Sequence, residues 1–457
     1  MNRRIARTAC LAALVSLSPL AAAAWDPFNG DWGKSDATDL RVMTWNVQDG
    51  IASQNPEKFD GITSWAALAR VVAMIKPDVL ILQEMGDNNP WNNGNVDSVS
   101  NLATTIELFQ FGGPDPFRGG TVDAYVTKYD ASVQFPHVFI SGVSDNFNRN
   151  VVLSRYPFAD LNNDAFGAAT TDNFFVQADP VWNNIGGTAG IRGYQFAEID
   201  LPDDVYLGDV VVGNGHLKAG GSSNDRTQRE VAAKNISYYL RFLYNGGGTV
   251  TPDPNNRITS IDDAGTVVLD ANTPIVLGGD LNQDVFDGAA PAEWIAFGTQ
   301  VGPPDGTDAD GTDMTIDTAT MALNPSDRST QGSSKLDYLI WQDSIATARR
   351  QFTFRSNSGW PAGATIPDEL VGFPNFNFTS LVASDHRPVV VDLILPLAAV
   401  ENCPADVTGD DAVNADDLLV VLGNFGSPGG PAEGDINGDG LVNADDLLAI
   451  LGEFGCS

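Results

Sequence analysis

Short apolar runs that end in polar clusters constrain this chain most. Residues 79–82 (Val-Leu-Ile-Leu) are continuously apolar, suited to a buried strand, and are followed by Gln83-Glu84. Similar strands are expected at 194–201, 210–217, 274–277 and 389–395, and 40–46 is β-rich and closes on Trp45-Asn46. A helix separates the first two strands. Thr63 or Ser64 can cap it, Trp65, Leu68, Val72 and Ile75 recur at helical spacing, and Pro77 stops it. A second helix is expected from Asp225, as N-cap, to about 243. Polar stretches at 86–120, 159–190, 244–272 and 301–334 read as long loops that form a rim, face a substrate or are insertions. Residues 38–396 therefore read as one α/β (α+β) domain.

Composition agrees. The chain has 457 residues, which suggests one large domain with a small one, or two to three domains. It is 43% apolar, enough for a sizeable core, and its 46 Gly and 26 Pro favour a loop-rich α/β protein over a helical bundle. Arg3, Arg4 and Arg7 precede a mostly apolar stretch at 9–20 and then Ala21, Ala22, Ala23 and Ala24. This reads as an export signal (1–23) cleaved near Ala23 or Ala24, and no other stretch could span a bilayer. Its removal takes three Arg and changes the formal charge from −34 to −37. Such a charge argues against tight non-specific DNA binding, which rewards Lys and Arg. It does not exclude an enzyme whose metal ions supply a positive field locally.

The chemistry clusters at strand ends, where α/β sheets carry function. Asn46, Glu84, His216, Lys218, Asp280, Asn282, Asp337, Asp385 and His386 all lie there. Four carboxylates, two His and two Asn can converge on one hard cation and one phosphate. Nothing resembles a serine nucleophile elbow, a Walker A loop or a zinc-type His/Cys cluster, so acyl transfer and P-loop chemistry are disfavoured.

The ordered set Thr44-Trp45-Asn46, Leu82-Gln83-Glu84, His216-Leu217-Lys218, Gly279-Asp280-Leu281-Asn282, Leu336-Asp337-Tyr338 and Ser384-Asp385-His386 resembles the endonuclease/exonuclease/phosphatase superfamily. The resemblance implies a two-sheet, four-layer α/β sandwich and a phosphoric diester hydrolase using Mg²⁺ or Mn²⁺. Glu84 would bind the metal with Asn46 and Asp385. Asp280 would orient or deprotonate the attacking water, and Asn282 would hold the phosphate. His386, oriented by Asp337, would contact a phosphoryl oxygen or move a proton, and His216 would take the second histidine position. Arg149, Asn150 and Lys218 are expected to touch substrate. Arg226 and Arg229 read equally as phosphate contacts or surface charges, His137 as structural and Trp45 as core.

For the substrate, Leu277-Gly278 and Asp337-Tyr338 depart from the inositol-phosphatase pattern, and Lys335-Leu336-Asp337-Tyr338 resembles the nuclease branch more. Nucleic acid is the expected substrate. A sphingomyelinase-like or other phosphodiesterase is the alternative, with residues 373–378 (Phe-Pro-Asn-Phe-Asn-Phe) as a possible membrane-facing aromatic hairpin. A non-catalytic, calcium-dependent surface or scaffold protein is the rival from another class. Oligomeric state is not legible.

Residues 403–457 differ in kind. From Glu401 onward there are twelve acids and no Lys or Arg, and Asn-Ala-Asp-Asp-Leu-Leu at 414–419 recurs 29 residues later at 443–448. Asp435, Asn437, Asp439, Asn443 and Asp446 occupy positions 1, 3, 5, 9 and 12 of a Ca²⁺ loop, with Gly440 at 6. Asp406, Thr408, Asp410, Asn414 and Asp417 repeat the pattern, but Asp411 replaces the glycine, which suggests a weaker site. Each loop leads into a Leu-rich helix. Two loop–helix repeats resemble a dockerin, which implies a small all-α module, bound Ca²⁺ and a cohesin-like partner. Cys403 and Cys456, the pair left after the leader, are expected to form a disulfide across the module's ends.

Overall fold

The computed structural model describes residues 25–87, 95–142, 144, 147–161, 168–170, 194–240, 269, 271–287, 290–298, 314–357, 360–398, 403–410 and 412–456. The expected leader, Asp411 and parts of the stretches read as loops at 86–120, 159–190, 244–272 and 301–334 lie outside them. The first of these stretches is not all loop, since Ser98 caps a helix over Val99–Phe111, and the last carries the strands Met314–Ile316 and Thr320–Met321. The chain forms two compact units, Met1–Pro396 and Leu397–Ser457.

The larger unit is an α/β sandwich of two sheets. The seven-stranded sheet has the spatial order Thr320–Met321, Thr347–Thr353, Val389–Ile394, Leu40–Asn46, Val79–Met85, Arg149–Ser154 and His137–Ile140. The six-stranded sheet runs Met314–Ile316, Asp337–Gln342, Ile275–Asp280, Val210–His216, Gln195–Ile199 and Ala168–Thr170. Parallel strand pairs, Leu40–Asn46 with Val79–Met85 and Val210–His216 with Ile275–Asp280, sit at the centre of each sheet among antiparallel neighbours.

The strand pleat divides the core into three layers. Leu40, Val42, Val79, Ile81, Val210, Val212, Val276, Leu339, Val389 and Val391 fill the space between the sheets. The alternate residues Met43, Trp45, Leu80 and Leu82 meet the helix Ser64–Ile75 on one outer face. Val211, Ile275, Leu277 and Ile340 meet the helices Ser223–Tyr239 and Pro291–Gly298 on the other. Gly278 faces inward, where a Cβ would lie 2.9 Å from Ile81 Cδ1 and 3.0 Å from Thr44 Cβ. The missing side chain lets the sheets close together there.

Local signals explain the helix ends. Thr63 caps the first helix by accepting from Ala66 N, and Lys76 closes it in the left-handed region (φ 55°), just before Pro77. The second helix is capped by Ser222 rather than Asp225. Asp225 lies at the third helical position and returns its carboxylate to Ser222 N, completing a capping box. Residues 373–378 form no aromatic hairpin. Phe373 is buried, Phe376 packs edge-on to Trp360 at 4.7 Å, and Phe376–Phe378 winds into a 3₁₀ turn before the helix Thr379–Ala383.

The smaller unit contains two helices, Ala415–Asn424 and Ala444–Glu453, capped by Asn414 and Asn443. Asp417 and Asp446, the expected last Ca²⁺ ligands, are buried and complete the capping boxes. Val421 and Ile450 join Ala405, Val413 and Val442 in a small core, while Leu419, Leu422, Phe425, Leu448, Leu451 and Phe454 are exposed. Cys403 and Cys456 are disulfide-bonded.

A buried ion pair secures the centre of the seven-stranded sheet. Arg41 and Asp392 face each other in register and bond through two hydrogen bonds of 2.6 and 2.8 Å; Arg41 also donates to Trp32 O and Ile75 O. Asp392→Ala strands a guanidinium with no access to water. It should lower unfolding free energy by about 3–5 kcal/mol, read as a shift of the urea midpoint.

Candidate active site

The pleat that buries the apolar residues also gathers the polar ones. Asn46, Gln83, Asn214, His216, Asp280 and Asp337 share the inward parity of their strands but sit at the strand ends, beyond the apolar layer. Register aligns them. Asp280 pairs laterally with His216 on one side and with Asp337 on the other, and Asn46 pairs with Gln83 in the facing sheet.

Glu84 has the opposite parity and would point at the outer helices. The Val79 strand is irregular between Leu82 and Met85, and Glu84 adopts φ 56°. This bulge re-aims the carboxylate inward, to 3.6 Å from His216 Nε2. Asn282 also has φ 56°, two residues beyond Asp280. Left-handed backbone at non-glycine residues costs energy that the surroundings must offset, and it gathers at functional sites.

Asp280 Oδ2 is the focus of the site. The Asn46 amide donates to it at 3.0 Å, and the Nε2 atoms of His216 and His386 approach it at 3.4 and 3.7 Å. Oδ1 accepts from Asn282 N at 2.9 Å. His386 Nδ1 bonds to Asp337 Oδ2 at 2.8 Å, which turns its Nε2 toward Asp280. Burial pushes the Asp280 carboxyl up to about 7, the charge of Asp337 adds to this, and His386 and the Asn46 amide pull it back. For His386, burial opposes the charged ring, but Asp337, by charge and hydrogen bond, then Asp280 and Asp385, outweigh it and raise the ring to about 10. At neutral pH His386 is an imidazolium.

The ligand atoms of Glu84, His216 and Asp280 lie within 4.8 Å of one another, as do those of Asp280, Asp337 and His386. Carboxylate oxygens in the first group are a donor set that fits a hard divalent cation such as Mg²⁺ or Mn²⁺. Asp385 belongs to neither group; it is exposed and accepts from Gln331 Nε2 at 3.0 Å.

The expected substrate residues divide. Asn150 is buried with its amide toward Asn214 O, and Asn282 Nδ2 donates to Leu217 O. Arg149 donates to the carbonyls of Asp97, Ser141 and Gly142, which fastens loops. Lys218 lies half-exposed, 3.9 Å from Asp225, and Arg226 is exposed. Arg229 is buried and bonds Lys218 O, Gly220 O and Gln283, a scaffolding role. His137 pairs in register with Ser154, at the strand end remote from Arg149, and its ring meets Phe158. Trp45 is buried, and its indole donates to His386 O.

Three residues were not assigned roles from sequence. Gln83 Nε2 donates to Asn214 Oδ1 across the sheets at 2.9 Å, and Asn214 Nδ2 donates to Leu82 O, Val151 O and Gln195 Oε1. Their inward parity among apolar neighbours was a signal that could have found them. Thr330 Oγ1 accepts from Leu336 N and Asp337 N, and its carbonyl accepts from Arg387 N, which joins the Asp337 strand to the His386 segment. It lies in an aperiodic loop and carries no such signal.

A model of the Endonuclease/Exonuclease/phosphatase family matches residues 43–386. No curated protein matches the chain. Similar solved structures include an endonuclease/exonuclease/phosphatase from Beutenbergia cavernae DSM 12333, 19% identical, covering 78% of this chain and 72% of that one, with a TM-score of 0.41. TDP2 from C. elegans is 14% identical, with coverages of 78% and 75% and a TM-score of 0.38. The human Nocturnin catalytic domain with bound sulfate is 13% identical, with coverages of 78% and 93% and a TM-score of 0.39.

The inter-sheet bonds yield a test. Asn214→Ala leaves buried acceptors at Leu82 and Val151 without their donor, at roughly 1–3 kcal/mol for each unsatisfied group. Chemical denaturation should show a loss of at least about 2 kcal/mol.

Proposed function

The chain belongs to the endonuclease/exonuclease/phosphatase family, whose members are phosphodiesterases and phosphatases, and on that premise we propose that it is a secreted, divalent-metal-dependent nuclease that hydrolyses DNA or RNA. The observation that carries this reading is the convergence of Asn46, His216 and His386 on one oxygen of Asp280, beside Glu84. No helix among the described residues is long and apolar enough to cross a membrane. The Arg-rich, apolar N-terminus supports export.

Glu84 would hold Mg²⁺ or Mn²⁺, helped by Asn46 and Asp385, with His216 and the Asp280 carboxylate beside it. When bound, the cation supplies Lewis-acid stabilisation of charge on the phosphoryl oxygens. Asp280 accepts a proton from the attacking water, or orients it, through the oxygen on which the two imidazoles converge. His386 is held charged by Asp337, so its Nε2–H can donate to a phosphoryl oxygen. That interaction strengthens as negative charge grows in the pentavalent transition state. Asn282 lies beside Asp280 at the same strand end, where a phosphate oxygen could take its amide.

The smaller unit supports a tethering role. We read its two loops as Ca²⁺ sites and its exposed Leu419, Leu422, Leu448 and Leu451 as a docking face for a cohesin-like protein. In the first loop Asp406, Asp410 and Asp417 bring carboxylate oxygens within 4.8 Å of one another, despite the missing glycine. In the second, Asp435 accepts from Asp439 N and Gly440 N, which wraps the loop as a Ca²⁺ site requires.

Two measurements check these readings. The purified mature chain in Mg²⁺ or Mn²⁺ should hydrolyse plasmid DNA or RNA and bis-p-nitrophenyl phosphate. EDTA should abolish the activity, and Asp337→Asn and His386→Ala should lower kcat by about 10²–10⁴-fold. Cleavage of sphingomyelin alone would overturn the nuclease reading. Separately, Ca²⁺ at a hundredfold excess over its Kd should stabilise the smaller unit by about 2.7 kcal/mol for each site it fills, read by calorimetry after chelation and re-addition. An unmoved transition would refute calcium binding.

A further inference from the structure

Next to the site lies a cavity that the catalytic reading does not use. Its volume is about 330 Å³, within the range of small-ligand pockets, and its lining is mostly apolar. The Met314–Ile316 strand, the outer edge of the six-stranded sheet, runs toward the catalytic end, because Met314 pairs with Gln342 and Ile316 with Ile340. Lys335 and Tyr338 line the cavity, while Asp337 between them holds His386. The stretch 335–338 therefore reaches both the cavity and the catalytic centre.

Phe286 stands at the cavity, six residues beyond Asp280, and is 77% exposed. Arg328 covers one face of its ring, with the guanidinium carbon 3.8 Å from the centroid. Asp284 fixes the arrangement: it accepts from Arg328 through both oxygens at 2.7 Å, from Phe286 N at 3.0 Å and from Lys335 N at 3.0 Å. A large aromatic held at the surface, stacked on a planar cation and tied through Asp284 to Lys335 N, is a preformed platform for another flat ring.

We propose that Phe286, Arg328 and this cavity form a base-stacking subsite for a nucleotide flanking the scissile phosphate. The proposal rests on the nuclease reading and names how that substrate is gripped. A nucleobase has the π-face that Phe286 and Arg328 can use, whereas a saturated acyl chain gains nothing from a planar cation. Stacking is indifferent to base identity and does not need the dense positive surface that this acidic chain lacks.

The test uses the full mature chain with its metal and compares wild type, Phe286→Leu and Phe286→Trp on a short single-stranded DNA or RNA oligonucleotide, bis-p-nitrophenyl phosphate and sphingomyelin vesicles. Phe286→Leu should raise KM for the oligonucleotide about tenfold, and Phe286→Trp should restore it, because the ring and not its apolarity is required. An oligonucleotide KM the same in Phe286→Leu as in wild type overturns the subsite. So does a KM that Phe286→Trp leaves as high as Phe286→Leu does, or a defect confined to vesicles, which would make the cavity an acyl site. Wild type that cleaves bis-p-nitrophenyl phosphate but no oligonucleotide also overturns it. Wild type inert on every substrate is a failure of the phosphodiesterase reading instead. Because Phe286 is so exposed, both variants keep the fold, which their unfolding midpoints verify.

Discussion

Face-to-face packing of two pleated sheets is the constraint on which the rest depends. Each strand must put every second residue into the shared interior, and the layer between the sheets is filled by Val, Leu and Ile from both. The same alternation carries into the last residues of the strands. Thr44 and Asn46, Ile81 and Gln83, Val212 and Asn214, and Gly278 and Asp280 lie two apart on one face. Apolar packing therefore fixes where the polar groups point, and the site is the mouth of the sandwich.

Burial at that mouth sets the electrostatics. Carboxylates removed from water resist ionisation, which is why Asp280 is pushed up, and Asp337 with its acidic neighbours holds a proton on the His386 ring. Such an arrangement survives only if the protein around it is rigid. The Gln83–Asn214 bonds tie the sheets directly beneath the site, Thr330 joins the Asp337 and His386 segments, and Arg41 with Asp392 locks the central strands. The bulge at Glu84 is the one departure from the pleat that the site requires.

Much of this was legible in the chain. The Leu40–Asn46 strand was read at its full length, and Thr63 and Pro77 marked the ends of the first helix, because turn, cap and alternation signals are local. The site residues stood out as polar groups closing apolar runs. Less was legible where the cause is not local. Ser222 displaced Asp225 as the cap because Asp225 serves the same capping box from the third helical position, accepting from Ser222 N. The aromatics at 373–378 looked like a membrane-facing hairpin until Trp360, distant from Phe373, gave them a packing partner. Arg149 looked like a substrate contact and Arg229 equally like a surface charge, and only the folded chain shows that Arg149 reaches Asp97 O and Arg229 reaches Gln283.

The sequence by itself determined the central strands and the first helix, the family resemblance and the inventory of acids, imidazoles and amides, since these depend on residue type and near neighbours. It did not determine the helix Val99–Phe111, which lies in a stretch that reads as loop. Only the tertiary structure decided which of them meet. His216, Asp280 and Asp337 are far apart in the chain and become lateral neighbours through strand register, while Asn46 and Glu84 reach them from the other sheet. Asp385, adjacent to His386, is exposed and bonds Gln331 while its charge still acts on the His386 ring. Register and sheet stacking are settled by the packing of the whole apolar interior at once, so no local pattern could specify these distances.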